Sequence, residues 1–362
     1  MKGTPLCQNT VPDTYGETGL KRLCIAGGVG LNSVANSRIL RETDFEELYI
    51  QPAAGDGGGA LGAALWAYNS LLGKPRTFVM DQAYWGQSYS PAETSAFLRE
   101  KSISYTLVEN EDKLLDQVVQ RLIEGKVIGW FQGRFEWGPR ALGSRSILAD
   151  ARNPAMKDIV NAKIKFREPY RPFAPSVLAE CAETYFDLPN ATRHYPARYM
   201  LYVVRVREQH HATLPAITHV DGTGRLQTVF KEQSPLYYGL IERFRQATGV
   251  PVLAEHFIEL EGRTHRQHSC QRLPYILQKR DGHPRPRELF HRKAMTPICL
   301  TLITSAPRRP TSSSESVGGR CARSASARNA EKPSACCWEY RVTPWPSSVL
   351  LASDQIFKRR KT

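Results

Sequence analysis

The chain has 362 residues, of which 41% are hydrophobic, and this is enough for two domains with a buried core. The sequence holds no run of eighteen consecutive apolar residues, and its start shows no basic stretch followed by an apolar segment, so we expect neither a membrane span nor a secretion signal. The 8 cysteines are scattered, and without an export signal they favour a reducing, cytoplasmic location.

The net charge of +14 is distributed unevenly along the chain. Residues 254–362 carry 20 Lys and Arg against 9 Asp and Glu, whereas residues 1–253 carry 29 against 26. Five of the eight cysteines also fall in the last part. Two compositions are therefore joined in one chain, and the basic charge describes the tail rather than the body.

The body has the pattern of an α/β protein. An apolar strand over Leu23–Gly28, a helix over Asn32–Leu40, a strand over Leu48–Gln51 and a glycine-rich turn leading into a helix from Gly55 together predict a βαβα unit. Lys74-Pro75-Arg76 follows as a predicted linker.

Further elements follow the linker. Up to the polar loop over Gly133–Arg145 we expect a helix over Ala92–Lys101, a strand in SYTLVE, a helix over Glu111–Glu124 and a strand in KVIGWFQG. After the loop we expect a helix over Met156–Phe166, strands from Met200 and over Leu226–Phe230, and a helix over Tyr237–Thr248 that ends at Gly249. After Leu253 the periodicity is lost, and residues 306–326 are Pro, Ser, Gly and Arg without a repeat, which would not pack a core.

Two glycine motifs in the first part are candidate nucleotide loops. They are AGGVGLN, residues 26–32, and AAGDGGGALGAA, residues 53–64. Glycines after a strand expose backbone N–H groups that can bind phosphate, and Asp56 in the second motif could hold a metal. The alternative is close packing of Gly and Ala, which the local pattern alone favours.

The second candidate site is rich in arginine. Six basic residues lie in loops broken by Gly and Pro, namely Arg134, Arg140, Arg145, Lys165, Arg167 and Arg171. Loop arginines between aromatic residues suit bidentate binding of phosphate or carboxylate. A solvated basic face is the alternative, and we favour anion binding.

A third motif, THVDGTGRLQTV over residues 218–229, places His219, Asp221 and Arg225 around a glycine turn. It indicates either a polar site or a hairpin with incidental polar residues, and the pattern does not separate the two.

In this order and spacing the motifs resemble the carbamoyltransferase family that includes nodulation, cephalosporin and aminoglycoside O-carbamoyltransferases. The resemblance runs from about Glu17 to Leu253. It implies the C-terminal part of an actin-like ATPase domain over residues 1–75, similar to the threonylcarbamoylation enzymes. A YrdC-like α/β domain would follow over residues 76–253 and an irregular tail over 254–362, so that the fold class is α/β (α+β).

The resemblance also implies a reaction. ATP and carbamoyl phosphate would form a carbamoyl adenylate, and the carbamoyl group would pass to a hydroxyl of a small-molecule acceptor, with fixed guanidinium groups stabilising the developing charge. The implied catalytic residues are Arg140, Lys165, Arg171 and Arg225; those binding substrate or phosphate are Arg134, Arg145, Arg167 and His219; those binding nucleotide are Gly27, Gly28, Asn32 and Gly55; and the metal ligand is Asp56.

The chain also departs from the family. Relatives carry further residues upstream, including histidines that complete a metal site for iron or magnesium, so we expect that Asp56 alone does not retain the metal. A misassigned start, a broken gene and a separately encoded N-terminal half as partner are the alternatives that would explain this departure, and the sequence does not separate them.

After ATGVPVL, residues 247–253, the family continues with Asn-Thr-Ser-Phe-Asn, whereas this chain has AEHFIELEGRTHRQHS. Permitted codons for Glu255, His256 and Phe257, read one base later, begin with asparagine, threonine and serine. We therefore expect a one-base frameshift near Ala254, a tail translated out of frame, and impaired activity.

Two alternatives concern the tail. The first is a non-catalytic nucleic-acid-binding protein that acts through the basic charge, and we disfavour it because the tail has little aromatic interleaving. The second is a zinc site formed by His265, His268, Cys270, Cys336 and Cys337, whose spacing matches no ordinary ligand set.

Overall fold

A computed structural model describes residues 14–100, 105–161, 173–257 and 299–302. Lys165, Arg167 and Arg171 lie outside the described residues, as do the end of the predicted helix Met156–Phe166 and the predicted zinc ligands of the tail. No helix among the described residues is long and apolar enough to cross a membrane.

The first part of the chain forms the predicted βαβα unit. Strands β1 (Arg22–Ile25) and β2 (Glu47–Ile50) pair in parallel. Helix α1 (Ser33–Glu42) connects them, and helix α2 (Asp56–Trp66) follows. One face of this small sheet is buried by Leu23, Leu48 and Ile50, because alternate residues of a strand point to the same side.

The remaining strands form a mixed sheet. They are β3 (Ile128–Phe131), β4 (Arg145–Asp150), β5 (Ala174–Leu178), β6 (Tyr202–Arg205), β7 (Thr223–Val229) and β8 (Val252–Phe257), in the spatial order β6-β7-β5-β8-β4-β3. A short strand β9 (Cys299–Leu302) lies beside β3. Strands β5 and β7 are parallel, as are β3 and β9, and the other neighbours are antiparallel. The coarse prediction of a mixed α/β fold is therefore confirmed, while the actin-like and YrdC-like assignments stay predictions.

The other helices are α3 (Pro91–Glu100), α4 (Glu111–Ile123), α5 (Met156–Val160), α6 (Ala182–Tyr185) and α7 (Pro235–Thr248). Helices α4 and α7 cover one face of the large sheet, where Val118 and Phe244 pack in one cluster with Trp130 of β3. Asn110 caps α4 by accepting a hydrogen bond from the backbone N–H of Lys113 at 2.8 Å. The predicted end of α7 at Gly249 is confirmed.

The opposite face of the sheet carries a second cluster that joins the two parts of the chain. Ile39 and Phe45, from the βαβα unit, are buried there together with Leu226 and Val252 of the large sheet. Helix α1 lies along β6, because the side-chain oxygen of Ser37 accepts a hydrogen bond from the backbone N–H of Val203 at 2.7 Å. The first glycine motif is thereby held against the large sheet.

The secondary structure departs from the sequence prediction in several places. The predicted strand SYTLVE is wrong over its described residues 105–109, which form no strand and leave Tyr105 and Leu107 exposed. Strand β4 was not predicted, although it is buried along its whole length. Strand β8 crosses the boundary drawn after Leu253, and its residues Ala254 and Glu255 are buried between β4 and β5.

Candidate functional site

The two glycine motifs meet at the starts of α1 and α2. Gly27 has a φ of 102°, a conformation that favours glycine, and its N–H donates to the carbonyl of Ala54 at 2.8 Å. A side chain on Gly55 would stand 3.7 Å from the Cα of Gly28, so the two turns lie against each other. Predicted nucleotide residues Gly27, Gly28 and Gly55 are therefore brought together.

Asn32, the fourth predicted nucleotide residue, has a structural role at this position. Its side-chain oxygen accepts a hydrogen bond from the backbone N–H of Ala35 at 3.1 Å and thereby caps α1. The preceding residues 28–31 form a single turn of 3-10 helix that leads into this cap.

The arginine-rich loop between β3 and β4 crosses to these glycine turns. Gly138 has a φ of 131°, and a side chain there would come within 2.7 Å of the carbonyl oxygen of Pro52, so only glycine allows this approach. The N–H of Trp137 donates to the carbonyl of Ala83 at 2.6 Å. The loop is therefore seated directly on the turn that precedes α2.

Arg140 connects the loop with the first glycine motif. Its Nη2 donates to the carbonyl oxygen of Leu31 at 2.9 Å. Its Nε is buried and has no hydrogen-bond partner among the described residues. Burial lowers the pKa of this guanidinium from its usual value. A half-buried guanidinium with an unused buried donor is suited to an anion, because a buried donor without a partner is costly.

Arg145 is used inside the loop through both of its Nη atoms, although its buried Nε, like that of Arg140, has no hydrogen-bond partner among the described residues. Its Nη1 donates to the carbonyls of Gln132 and Ser144, and its Nη2 donates to the carbonyl of Gly133 at 3.0 Å. The guanidinium carbon lies 3.5 Å and 3.8 Å from the ring centres of Phe131 and Phe135. Burial lowers the pKa of Arg145 to about 10. These contacts support a role in holding the loop, which differs from the predicted role in phosphate binding.

Sequence reasoning overlooked the residue that shapes the end of this loop. One carboxylate oxygen of Glu136 accepts hydrogen bonds from the backbone N–H groups of Leu142, Ser144 and Arg145, at 2.9, 2.7 and 3.1 Å. The signal was present, because Glu136 is the one acidic residue between Gly133 and Arg145. A single carboxylate in a basic loop is well placed to accept hydrogen bonds from the backbone N–H groups of that loop.

The third motif lies at the start of β7. Arg225 is half-buried and shares a face of this strand with Gln227, whose side-chain amide donates to the carbonyl of Leu142 at 3.2 Å. The face of β7 that carries Arg225 is therefore the one that meets the arginine-rich loop.

His219 lies beside Arg225 in the same motif. Its Nδ1 is 3.1 Å from the hydroxyl of Thr223. Burial, together with the charges of Arg225 and Lys157, lowers the pKa of His219 to about 4 despite the opposing effect of Asp221. The imidazole of His219 is therefore neutral at neutral pH. Arg134 differs from these residues, because its side chain is exposed.

A buried carboxylate lies beneath the end of the loop. Glu255 of β8 accepts a hydrogen bond from the N–H of Gly143 at 2.7 Å and from the hydroxyls of Ser146 and Ser176. The hydroxyl of Tyr237 approaches its second oxygen at 3.3 Å. Burial raises the pKa of Glu255 to about 6, although the hydrogen bonds oppose this shift. This residue was also overlooked, since it falls after Leu253.

The described residues do not fit the metal that the resemblance implies. Asp56 is exposed at the start of α2. Among the residues that the structure describes, no group of three or more His, Cys, Asp or Glu side chains could hold an ion.

Comparison with known families agrees with the motifs. The model of the carbamoyltransferase N-terminus matches residues 7–65, and the model of the carbamoyltransferase C-terminus matches residues 119–272. The first match contains both glycine motifs, and the second contains the arginine-rich loop, β7 and β8.

Three relatives illustrate the similarity. An uncharacterized protein of Synechocystis, sll1178, is 43% identical over 280 residues, which cover 70% of this chain and 44% of the relative. The nodulation protein NolO of Bradyrhizobium diazoefficiens is 45% identical over 237 residues, with shares of 65% and 43%. The 3'-hydroxymethylcephem-O-carbamoyltransferase of Streptomyces clavuligerus is 35% identical over 240 residues, with shares of 66% and 43%.

The chain therefore spans less than half the length of each of these relatives. The motifs, the two matched models and the shared identity agree on one conclusion. The chain belongs to the carbamoyltransferase family.

Proposed function

We propose that this chain is part of an O-carbamoyltransferase that uses carbamoyl phosphate and ATP. Its similarity to a 3'-hydroxymethylcephem-O-carbamoyltransferase supports a hydroxyl group as the acceptor. The observation that carries the proposal is the position of Arg140. Its half-buried guanidinium joins the arginine-rich loop to the glycine turns and keeps one buried donor without a partner among the described residues.

The reaction balances in three steps. Water cleaves carbamoyl phosphate into phosphate and carbamate, and a carbamate oxygen then attacks the α-phosphorus of ATP and displaces pyrophosphate. The acceptor hydroxyl attacks the carbonyl carbon of the carbamoyl adenylate, loses its proton and displaces AMP. Each step develops negative charge on phosphate oxygens, which fixed guanidinium groups stabilise. Arg140 and Arg225 would supply that stabilisation, together with Lys165 and Arg171, which lie outside the described residues.

Phosphate binding can be divided among the predicted residues. We assign Arg140 and Arg225 to the substrates, because both are half-buried, Arg140 in the arginine-rich loop and Arg225 on the face of β7 that this loop meets. His219 would contact the same anion as a neutral donor or acceptor. Arg134 would contact substrate from the exposed rim of the loop. Arg167, which lies outside the described residues, is assigned to phosphate binding by the family resemblance alone. The open backbone of Gly27 and Gly28 would bind the nucleotide.

We further propose that a one-base frameshift near codon 254 impairs turnover, because permitted codons for Glu255 to Phe257, read one base later, begin with the family's Asn-Thr-Ser, although the match to the carbamoyltransferase C-terminus continues to residue 272. The DNA around codon 254 tests the frameshift: a reading frame shifted by one base should encode Asn-Thr-Ser-Phe-Asn. A shifted frame without that sequence rejects the frameshift. Turnover at ordinary enzyme rates, above about 1 per second, rejects the impairment.

Ligand binding tests the proposed function itself. We expect calorimetry to detect ATP and carbamoyl phosphate binding to the full chain, and Arg140→Ala and Arg225→Ala each to weaken binding about tenfold or more, since a charge-assisted hydrogen bond contributes roughly 1.5–3 kcal/mol. Arg99→Ala, an exposed change in α3, is the matched control and should leave affinity unchanged. Pyrophosphate release that depends on carbamoyl phosphate should likewise fall in Arg140→Ala and Arg225→Ala and stay unchanged in Arg99→Ala. Equal affinity in Arg140→Ala and the unaltered chain rejects the proposal.

A further inference from the structure

The arginine-rich loop has a tip segment, residues 137–141, that one side chain closes at its base. A single carboxylate oxygen of Glu136 accepts the backbone N–H groups of Leu142, Ser144 and Arg145, at 2.9, 2.7 and 3.1 Å. Glu136 comes directly before the tip segment and Leu142 comes directly after it. The chain therefore leaves and returns beside the same carboxylate.

The tip segment carries Arg140 to the glycine turns. Arg140 is the one charged residue of the segment, and its Nη2 donates to the carbonyl of Leu31 at 2.9 Å. A side chain on Gly138 would come within 2.7 Å of the carbonyl oxygen of Pro52, so the backbone beside Arg140 is pressed against the turn that precedes α2. Because so short a segment has little slack, the position of its two ends fixes the position of its tip.

The end of the tip segment is anchored in the core. The carbonyl of Leu142 accepts hydrogen bonds from the hydroxyl of Tyr84 at 2.7 Å and from the side-chain amide of Gln227 at 3.2 Å. The N–H of the same residue faces Glu136. Glu136 is therefore the link between this anchored end and the beginning of the tip segment.

The N–H groups that Glu136 binds have little access to water. Leu142, Ser144 and Arg145 are each 3% exposed. A buried backbone N–H that loses its acceptor is costly, and it can recover the loss only when the chain moves to bring it to water or to another acceptor. Removal of the carboxylate should therefore shift the chain on the return side of the tip segment.

The charge of Glu136 is not suited to direct contact with the substrates. Phosphate groups and a carboxylate repel each other, so a carboxylate that faced them would weaken binding. Three N–H donors face this carboxylate instead, and hydrogen bonds of this kind stabilise the charged form. The geometry therefore favours an indirect effect of Glu136 on the substrates.

We propose that Glu136 is a positioning residue of the candidate site, which closes the tip segment and thereby holds the guanidinium of Arg140 where the anionic substrates bind. This inference rests on the proposed function, because it concerns the position of an arginine assigned there to ATP and carbamoyl phosphate. Glu136 acts through Arg140 alone. Its loss should therefore weaken substrate binding only as far as Arg140 contributes to that binding.

Calorimetry with ATP tests this dependence on the full chain. Glu136→Leu removes the oxygens from a side chain of similar size, and it should weaken ATP binding about tenfold or more, since a misplacement of about 1 Å can cost roughly 100-fold. Glu136→Gln keeps an acceptor oxygen at the same place and should stay within about threefold of the unaltered chain. In an Arg140→Ala background Glu136→Leu should have no further effect, because both changes remove one interaction.

Glu183→Leu is the matched control for the loss of a carboxylate. Glu183 accepts the backbone N–H of Ala191 at 3.1 Å, outside the arginine-rich loop, so its replacement should leave ATP affinity unchanged. Circular dichroism and thermal unfolding show whether each variant folds. Glu136→Asp, which shortens the side chain by one methylene, is the milder variant should Glu136→Leu fail to fold, and it should weaken ATP binding to an intermediate degree.

Limited proteolysis measures the position of Arg140 without any ligand. Trypsin cleaves after Arg140 only when the tip segment opens, and mass spectrometry identifies the fragment that ends there. We expect Glu136→Leu to speed this cleavage about tenfold, because cleavage follows the population of the open form. Glu136→Gln and Glu183→Leu should be cut at the rate of the unaltered chain.

Three results would overturn the inference. They are cleavage after Arg140 or ATP affinity that Glu136→Leu leaves unchanged, losses of affinity that add in the double variant, and equal losses in Glu136→Gln and Glu136→Leu, which would assign the effect to charge. Failure of the proposed function is a separate result. Arg140→Ala would then bind ATP as tightly as the unaltered chain, while cleavage by trypsin would still decide whether Glu136 holds Arg140.

Discussion

Glu255 accepts a hydrogen bond from the backbone N–H of Gly143 at 2.7 Å and thereby ties the middle strand of the large sheet to the end of the arginine-rich loop. The carbonyl of the same glycine accepts from the indole N–H of Trp130 and the side-chain amide of Gln132, at 2.8 and 2.6 Å. Both ends of the loop are thus fixed from within the core. The arginines that it carries are held by the sheet itself.

The buried carboxyl of Glu255 should make stability depend on pH. Its pKa rises from 4.5 to about 6 on folding, mainly through burial, so the folded protein holds the proton more tightly. This contribution to stability is fully present below about pH 4.5, is lost as the pH rises to about 6, and amounts to about 2 kcal/mol. Glu255→Gln should remove this loss of stability with rising pH.

Urea unfolding of the unaltered chain and of Glu255→Gln, measured between about pH 4 and about pH 7.5, checks this prediction. We expect the difference in unfolding free energy to grow in favour of the variant as the pH rises. Both proteins contain His219 and the other titrating groups, so the contributions of these groups to stability cancel in the difference between the two pH profiles. Two pH profiles that stay parallel would contradict a buried, titrating Glu255.

Gly143→Ala should destabilise the protein by more than about 2 kcal/mol, because overpacking and an unfavourable φ act together there. Gly143 has a φ of 90°, and an added Cβ would collide with the ring of Tyr237. Gly133→Ala is the matched control: Gly133 has a φ of 49°, but no atom lies within 4 Å of the added carbon, so the cost should be about 1 kcal/mol. Thermal unfolding measures both, and equal losses would contradict the packing against Tyr237.

Arg145 and Arg140 should respond differently to replacement by lysine. Arg145→Lys should cost about 2–4 kcal/mol of unfolding free energy, because lysine cannot reproduce the planar contacts with three backbone carbonyls and two aromatic rings. Arg140→Lys should cost less than about 1 kcal/mol and act mainly on ligand affinity. Urea unfolding and calorimetry separate the two effects. An Arg145→Lys variant of unaltered stability would show that this guanidinium is available to a ligand.

Arg243 joins α7 to α4, with Nη2 2.5 Å from Asp112 and Nη1 2.5 Å from Asp116. Both carboxylates are largely exposed, so Arg243→Ala should cost no more than about 1 kcal/mol. That loss should shrink in about 1 M salt, because exposed charges are screened. Urea unfolding at low and high salt measures the change, and a loss that is independent of salt would assign the effect to packing of the side chain.

The parts of the fold that the sequence predicted are those whose signals are local. Helices α4 and α7 follow from apolar spacing, and Asn110 and Gly249 mark a start and an end by their own chemistry. The glycine turns and the arginine-rich loop were also located correctly. Their residue types show that the backbone must adopt unusual conformations, as Gly27 and Gly138 do.

The parts that were missed depend on distant neighbours. Strand β4 is buried on both faces and therefore lacks the alternation that marks a strand with one exposed face. Glu136 and Glu255 act through backbone groups that only folding brings near. The roles of Lys165, Arg167 and Arg171 stay predictions, because these residues lie outside the described part of the chain.

The order of the strands along the chain affects how this protein folds during its synthesis on the ribosome. Strand β8 lies between β4 and β5, yet it follows every other strand of the six in the chain. Until it emerges, β3–β4 and β5–β7–β6 are two half-sheets with open edges and no shared ladder. We expect the nascent chain to remain vulnerable to misassembly until residues near Phe257 leave the exit tunnel, when a single late strand closes the sheet.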